Sequence, residues 1–279
     1  MSTLQDAFSR FLSDRPDAFA ASSEASYKAH WQTLGEQDPL ALAFAGGAIA
    51  DRLAWVFAAA YQGAVRACFD GARDGAWIAL CVSEDRTGEF PGVVLENGTL
   101  TGSKSWIAAS DTVDQLIVSV GPSLHGGCHL LERNDPGVEL VARPRKAFLG
   151  DLSQGAANLT SASAGTPVDL ARADRFGVAE PFFVVVAAMP YLAREGARLD
   201  EPVDDALAGI VRDLDGIAAA GFHSDVRALL DVQQRCAAIG KVLARRAEGT
   251  TDGPGADWAE DGRLLGMYGR GLRARAQSD

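Results

Sequence analysis

The chain has 279 residues, 47% of them hydrophobic, which is enough to bury a large core without disulfide or metal staples. Asp and Glu outnumber Lys and Arg by 37 to 26, a net charge of -11 that excludes a sequence-independent grip on nucleic-acid phosphates and argues against an anionic membrane surface. Cys68, Cys81, Cys128 and Cys236 lie far apart in apolar stretches with no Cys-x-x-Cys pair, and read as buried, unpaired thiols.

From about residue 2 to 74 the hydrophobic period is helical: Leu53, Val56, Phe57, Ala60, Ala64 and Cys68 recur at three- and four-residue intervals. Ser2 to Asp6 show no basic segment followed by an apolar one, so no secretory signal is expected. The most apolar helix candidate, Leu53 to Phe69, is too short and too charged to span a bilayer. These features predict a soluble, cytoplasmic protein, in which Asn97-Gly98-Thr99 and Asn158-Leu159-Thr160 are chance sequons.

From Trp77 to about Leu170 short runs rich in Val, Ile, Thr and Leu alternate with turn residues. Strands are predicted at 77–82, 92–95, 99–108, 113–120, 129–132 and 138–141, with Asn97-Gly98 as a two-residue hairpin turn. This predicts a compact antiparallel β-domain. From about Ala179 the helical period returns. Val184, Met189 and Leu192 mark one helix, and Leu207, Ile210, Val211, Leu214 and Ile217 a second. Val226, Leu229, Leu230, Gln233, Cys236, Gly240 and Leu243 mark a third; Trp258, Leu265, Tyr268 and Leu272 mark a fourth. Breaks at Asp200-Glu201-Pro202, Gly221-Phe222-His223 and 249–255 fit an up-and-down bundle. The fold class is therefore α+β: N-terminal helices over 1–75, an antiparallel β middle domain over 76–178 and a C-terminal four-helix bundle over 179–279.

Ala79 to Glu89, reading A-L-C-V-S-E-D-R-T-G-E, and Leu100 to Ala108, reading L-T-G-S-K-S-W-I-A, resemble two linked signatures of the acyl-CoA dehydrogenase family. They stand in the family's order and spacing, and Val113 to Val118 looks like the strand that follows. The resemblance implies a β-domain between two helical parts, with FAD as cofactor, an acyl-CoA or related small-molecule substrate, and a homo-oligomer, with a hetero-partner as a further option. It places Leu80, Val82 and Ser83 on one strand, and Trp106, Ile107 and Ala108 on another, against the flavin ring. Glu89 falls where the family's serine holds the thioester end of the substrate. The sequence departs from the pattern at Asp85, which replaces a proline, and at Ala108, which lacks the usual hydroxyl. The Arg-x-x-Phe-Gly and Gln-x-x-Gly-Gly-x-Gly segments that grip the cofactor's diphosphate are not found in the bundle.

The family reaction removes an α-proton with a carboxylate while a hydride leaves the β-carbon, so a buried acid with a raised pKa is required. Glu180, in Ala179-Glu180-Pro181-Phe182-Phe183, occupies the position used by one branch. Its bland reading is an ordinary helix N-terminus, where Glu complements the dipole and Pro suits the first turn. Trp106 can equally be a core residue, and Ser83-Glu84-Asp85 a solvated turn. His125 and His129 flank Gly126-Gly127-Cys128 without a third ligand in sequence, so no metal is expected. Arg270, Arg273 and Arg275 read as a solvated helix end, with CoA phosphate as the alternative partner. Two functions follow: an acyl-CoA dehydrogenase-like flavin-dependent oxidoreductase, or a non-catalytic homologue that acts as a binding or partner subunit without bound FAD. A shared site completed by a longer homologous partner is a third.

Overall fold

The computed structural model describes residues 3–35, 37–248 and 255–277. Four helices open the chain: α1 (Leu4–Asp14), α2 (Glu24–Gln32), α3 (Pro39–Ile49) and α4 (Leu53–Cys68). Their starts are written locally. Thr3 and Asp6 form a capping box on α1, Ser23 caps α2, and Asp38 followed by Pro39 at the first helical position opens α3. The first cap is reinforced from across the molecule, because the Asp215 carboxylate accepts the Leu4 and Gln5 N–H groups at 2.9 Å each.

Eight strands follow: β1 (Ile78–Cys81), β2 (Val94–Glu96), β3 (Thr99–Ala108), β4 (Gln115–Ser119), β5 (Cys128–Glu132), β6 (Val138–Ala142), β7 (Gln154–Ser163) and β8 (Thr166–Pro167). They form two four-stranded sheets, ordered β1-β4-β5-β8 and β2-β3-β7-β6. The Asn97-Gly98 turn joins β2 to β3 with both residues at positive φ, 49° and 78°, as a twisted two-residue hairpin requires. The middle region is not wholly antiparallel: β1 pairs with β4 in parallel, from Ile78 opposite Gln115 to Cys81 opposite Val118. The chain leaves one sheet after β1, builds the β2–β3 hairpin in the other, and returns, and that crossover brings β4 in alongside β1 with the same direction. β7 has no counterpart among the predicted strands, since its sequence, Q-G-A-A-N-L-T-S-A-S, lacks a run of large apolar residues.

The chain then becomes helical: α5 (Phe176–Arg198), α6 (Asp204–Ala219), α7 (Val226–Ala247), α8 (Gly255–Asp261) and α9 (Gly269–Ala276). The predicted fourth helix is broken, because Gly262 to Gly266 tighten into a 3₁₀ segment between α8 and α9. α5 starts at Phe176, so Pro181 lies inside it and Glu180 is not at its N-terminus. α5 is also the most apolar long helix. Residues 173–198 are long and apolar enough to cross a membrane, yet 83% of their most apolar window is buried inside the protein. Front and back helices share one core, in which Tyr27, Trp55, Trp77, Phe182 and Tyr191 are almost fully buried. The four cysteines are free and buried in it or between the sheets.

Candidate functional site

The wall of the site is built by Lys104. Its side chain is fully buried, and its ammonium donates to the Val82 carbonyl at 3.3 Å, Glu84 Oε1 at 2.8 Å, Ser119 Oγ at 3.0 Å and the Gly121 carbonyl at 2.7 Å. Burial pulls the Lys104 pKa down, and the Glu84 carboxylate pulls it back up. One cation on β3 thus gathers the ends of β1 and β4 from the other sheet. The Ser105 N–H adds a bond to the Ser83 carbonyl at 2.7 Å, so the two motif strands touch end to end.

A bulge then decides which residues face out. Lys104 stands opposite Ala157 but Ile107 opposite Gly155, so β3 carries one extra residue over this span. The insertion breaks strict alternation, which lets Lys104 and Ile107 both point between the sheets while Trp106 turns outward. Trp106 Nε1 donates to Gln154 Oε1 at 3.3 Å, fixing the indole. Ile107 is buried in the inter-sheet core and Ala108 in the main core; neither lines the cavity in front of the wall. Glu89 stands exposed on the loop after β1, its N–H bonded to Asp85 Oδ2, and is likewise outside it.

That cavity has a volume of about 380 Å³. On one side are Leu80, Val82, Ser83 and Trp106; on the other are Tyr61 of α4 and Phe176, Gly177 and Glu180 of α5, with His125 and Arg275 at the rim. The gap between wall and bundle is open. It continues past Val82, Ser83 and Trp106 into a chamber that Arg86 and Arg143 also line, and past Asp174 and Arg275 into one bounded by Arg175 and His223. Ser83 makes no side-chain hydrogen bond among the described residues, so its hydroxyl is available to a ligand.

Glu180 is the chemically distinctive group. Burial among apolar side chains pushes its pKa up to about 7, while the Tyr268 hydroxyl, buried and without a full-strength hydrogen bond, holds it somewhat lower. The Tyr61 hydroxyl accepts the Leu80 N–H at 2.8 Å, and its own pKa is raised by burial and by the charge of Glu180. One phenol, Tyr61, thus lines the cavity with the Glu180 carboxyl, and the buried Tyr268 hydroxyl acts on Glu180 from outside the lining. Pro181 supplies no N–H, which removes the usual i+4 donor from the Gly177 carbonyl at the cavity edge. Tyr61 and Phe176 carried no sequence signal for this role, and Arg275 only the alternative of a CoA phosphate; they meet because α4, α5 and α9 converge. Among the described residues no group of three His, Cys, Asp or Glu side chains could hold an ion.

No protein-family model and no curated protein matches the sequence. Solved structures do match. One described as an electron transferring flavoprotein of Acidaminococcus fermentans superposes with a TM-score of 0.69 at 11% identity, covering 98% of this chain and 97% of that one. Butyryl-CoA dehydrogenase from Megasphaera elsdenii gives 0.60 at 10% identity, with 98% and 99% covered. A glutaryl-CoA dehydrogenase from Mycobacterium smegmatis in complex with FADH2 gives 0.55 at 11%, with 95% and 89% covered. The chain has the acyl-CoA dehydrogenase fold.

Proposed function

We propose that the chain is a flavin-dependent oxidoreductase acting on an acyl thioester or a related acyl substrate, with Glu180 as its base. The observation that carries this is the meeting, in one open cavity, of a strand-built wall and a carboxyl whose pKa is about 7. A base poised there is half ionised near neutrality, where proton abstraction is most efficient. Leu80, Val82 and Trp106 give an apolar face for a flat ring, and the Ser83 hydroxyl gives a polar contact at its edge; the residues fit a flavin. Arg86 and Arg143 line the adjoining chamber and would be the groups to meet its phosphates. When bound, the flavin supplies the hydride acceptor. The chain's own part is to hold the acyl group between wall and α5 while the Glu180 carboxylate takes the proton from the carbon next to the thioester carbonyl.

This reading carries a cytoplasmic setting and a homo-oligomer. The neighbour described as an electron transferring flavoprotein supports a protein partner for the electrons. The visible absorption spectrum of the purified protein tests it. A yellow protein with bound FAD, in which Glu180→Gln abolishes turnover and keeps the flavin, supports the assignment. A colourless protein that ignores added FAD sinks it in favour of the non-catalytic homologue.

A further inference from the structure

We propose that Arg275 is the receptor for an anionic group, a carboxylate or phosphate, on the ligand whose reacting end meets Glu180; this rests on the oxidoreductase reading above. Arg275 lines both the Glu180 cavity and the neighbouring chamber of about 670 Å³, so its guanidinium stands at their junction. Some arginines of this acidic chain pair with carboxylates, among them Arg15 with Asp204, Arg172 with Asp70 and Arg235 with Asp213. Arg275 has no side-chain hydrogen bond or ion pair among the described residues, although Asp174 lines the same two chambers. Arg175 also lines the outer chamber, so two guanidiniums face that one acid there.

The guanidinium approaches the start of α5 at its glycine. A β-carbon at Gly177 would fall 2.3 Å from Arg275 Nη2 and 3.1 Å from its Cζ, so the side chain sits edge-on against the first turn of α5, where a larger residue would displace it. The arrangement keeps a planar, always-charged donor at the cavity mouth, and such a fork matches a carboxylate or phosphate bidentately. A plain acyl thioester is neutral where it reacts and gives Arg275 nothing to hold. The anion is therefore either a second carboxyl on the acyl chain or a phosphate on the thiol carrier.

Calorimetric titration of the whole protein separates these sources. The probes are valeryl and glutaryl thioesters, each as the CoA ester and as the phosphate-free N-acetylcysteamine ester, against wild type, Arg275→Gln and Gly177→Ala. Arg275 is exposed, and Ala suits a helix better than Gly, so both variants should melt no lower than wild type. The expected result is a loss of about tenfold in affinity for the anionic probes in both variants, with valeryl-N-acetylcysteamine unchanged. A loss confined to glutaryl probes places the anion on the acyl chain; one confined to CoA esters places it on the carrier. Unchanged affinities throughout, or an equal loss for the neutral probe, overturn the inference and leave the oxidoreductase reading standing. Failure of every probe to bind wild type overturns both.

Discussion

Glu180→Gln should stabilise the protein at alkaline pH, against the rule that substitutions at a packed site destabilise. Folding moves the Glu180 pKa from its ordinary 4.5 up to about 7, because desolvation penalises the carboxylate. Between these values the unfolded chain has released the proton and the folded chain still holds it. Folded protein thus binds more protons, and stability must fall as pH rises through this window. Each tenfold change in proton affinity is worth about 1.36 kcal/mol, so the full effect is on the order of 3 kcal/mol, trimmed to about 2–3 kcal/mol by the water that reaches a half-buried group. Glutamine fills the same volume and never ionises. Thermal melting of wild type and variant at pH 4.5, 6 and 8 checks it: the two should coincide at the lowest pH and separate with rising pH. At pH 8 the variant should melt roughly 5–10 °C higher, since each kcal/mol is worth roughly 2–4 °C in a chain of this size. A difference independent of pH, or a wild type that becomes relatively more stable as pH rises, would refute the raised pKa. It would remove Glu180 as a base at the same time, with no cofactor or substrate involved in the measurement.

Lys104→Met should cost about 3–5 kcal/mol in urea unfolding, because it leaves the Glu84 carboxylate and two backbone carbonyls facing a gap between the sheets. Residual folded protein should also lose flavin affinity, since the Ser83 and Trp106 ends are no longer tied. Gly47→Ala should cost about 3 kcal/mol by the same assay. Its β-carbon would sit 1.9 Å from the Ala187 carbonyl oxygen, and backbone inside α5 cannot swing away. Asp215→Ala removes the acceptor for two N–H groups at the start of α1 and should cost about 1 kcal/mol, read most directly as faster amide exchange at Leu4 and Gln5.

What could be read from the chain depended on whether the information was local. The Asn97-Gly98 turn, the span of β3 and the periods of α6 and α7 are set by neighbouring residues, and the structure has them within a residue or two of the sequence reading. β7 was invisible because three of its four buried positions are filled by the small residues Gly155, Ala157 and Ala162, which leaves Leu159 as the one large apolar side chain on that face. The start of α5 was misplaced for a similar reason. Pro181 is an ordinary helix-start signal, but here Phe176 packs on Tyr61 and Phe69 and holds the extra turn in place.

The site shows the same division more sharply. Strict alternation along β3 would put Lys104, Trp106 and Ala108 on one face and Ser105 and Ile107 on the other. The bulge instead buries Lys104 with Ile107 and leaves Trp106 alone against the cavity. A bulge is a property of two strands in register, and no single strand's sequence encodes it. The Lys-x-Trp spacing is therefore best understood as a mechanical device: the lysine locks β1 and β4 to β3, the extra residue reverses the face, and the tryptophan two positions on completes a wall opposite Glu180. On this account Ser105→Pro, which deletes the N–H bonded to Ser83, should collapse the wall without touching any residue that faces the cavity.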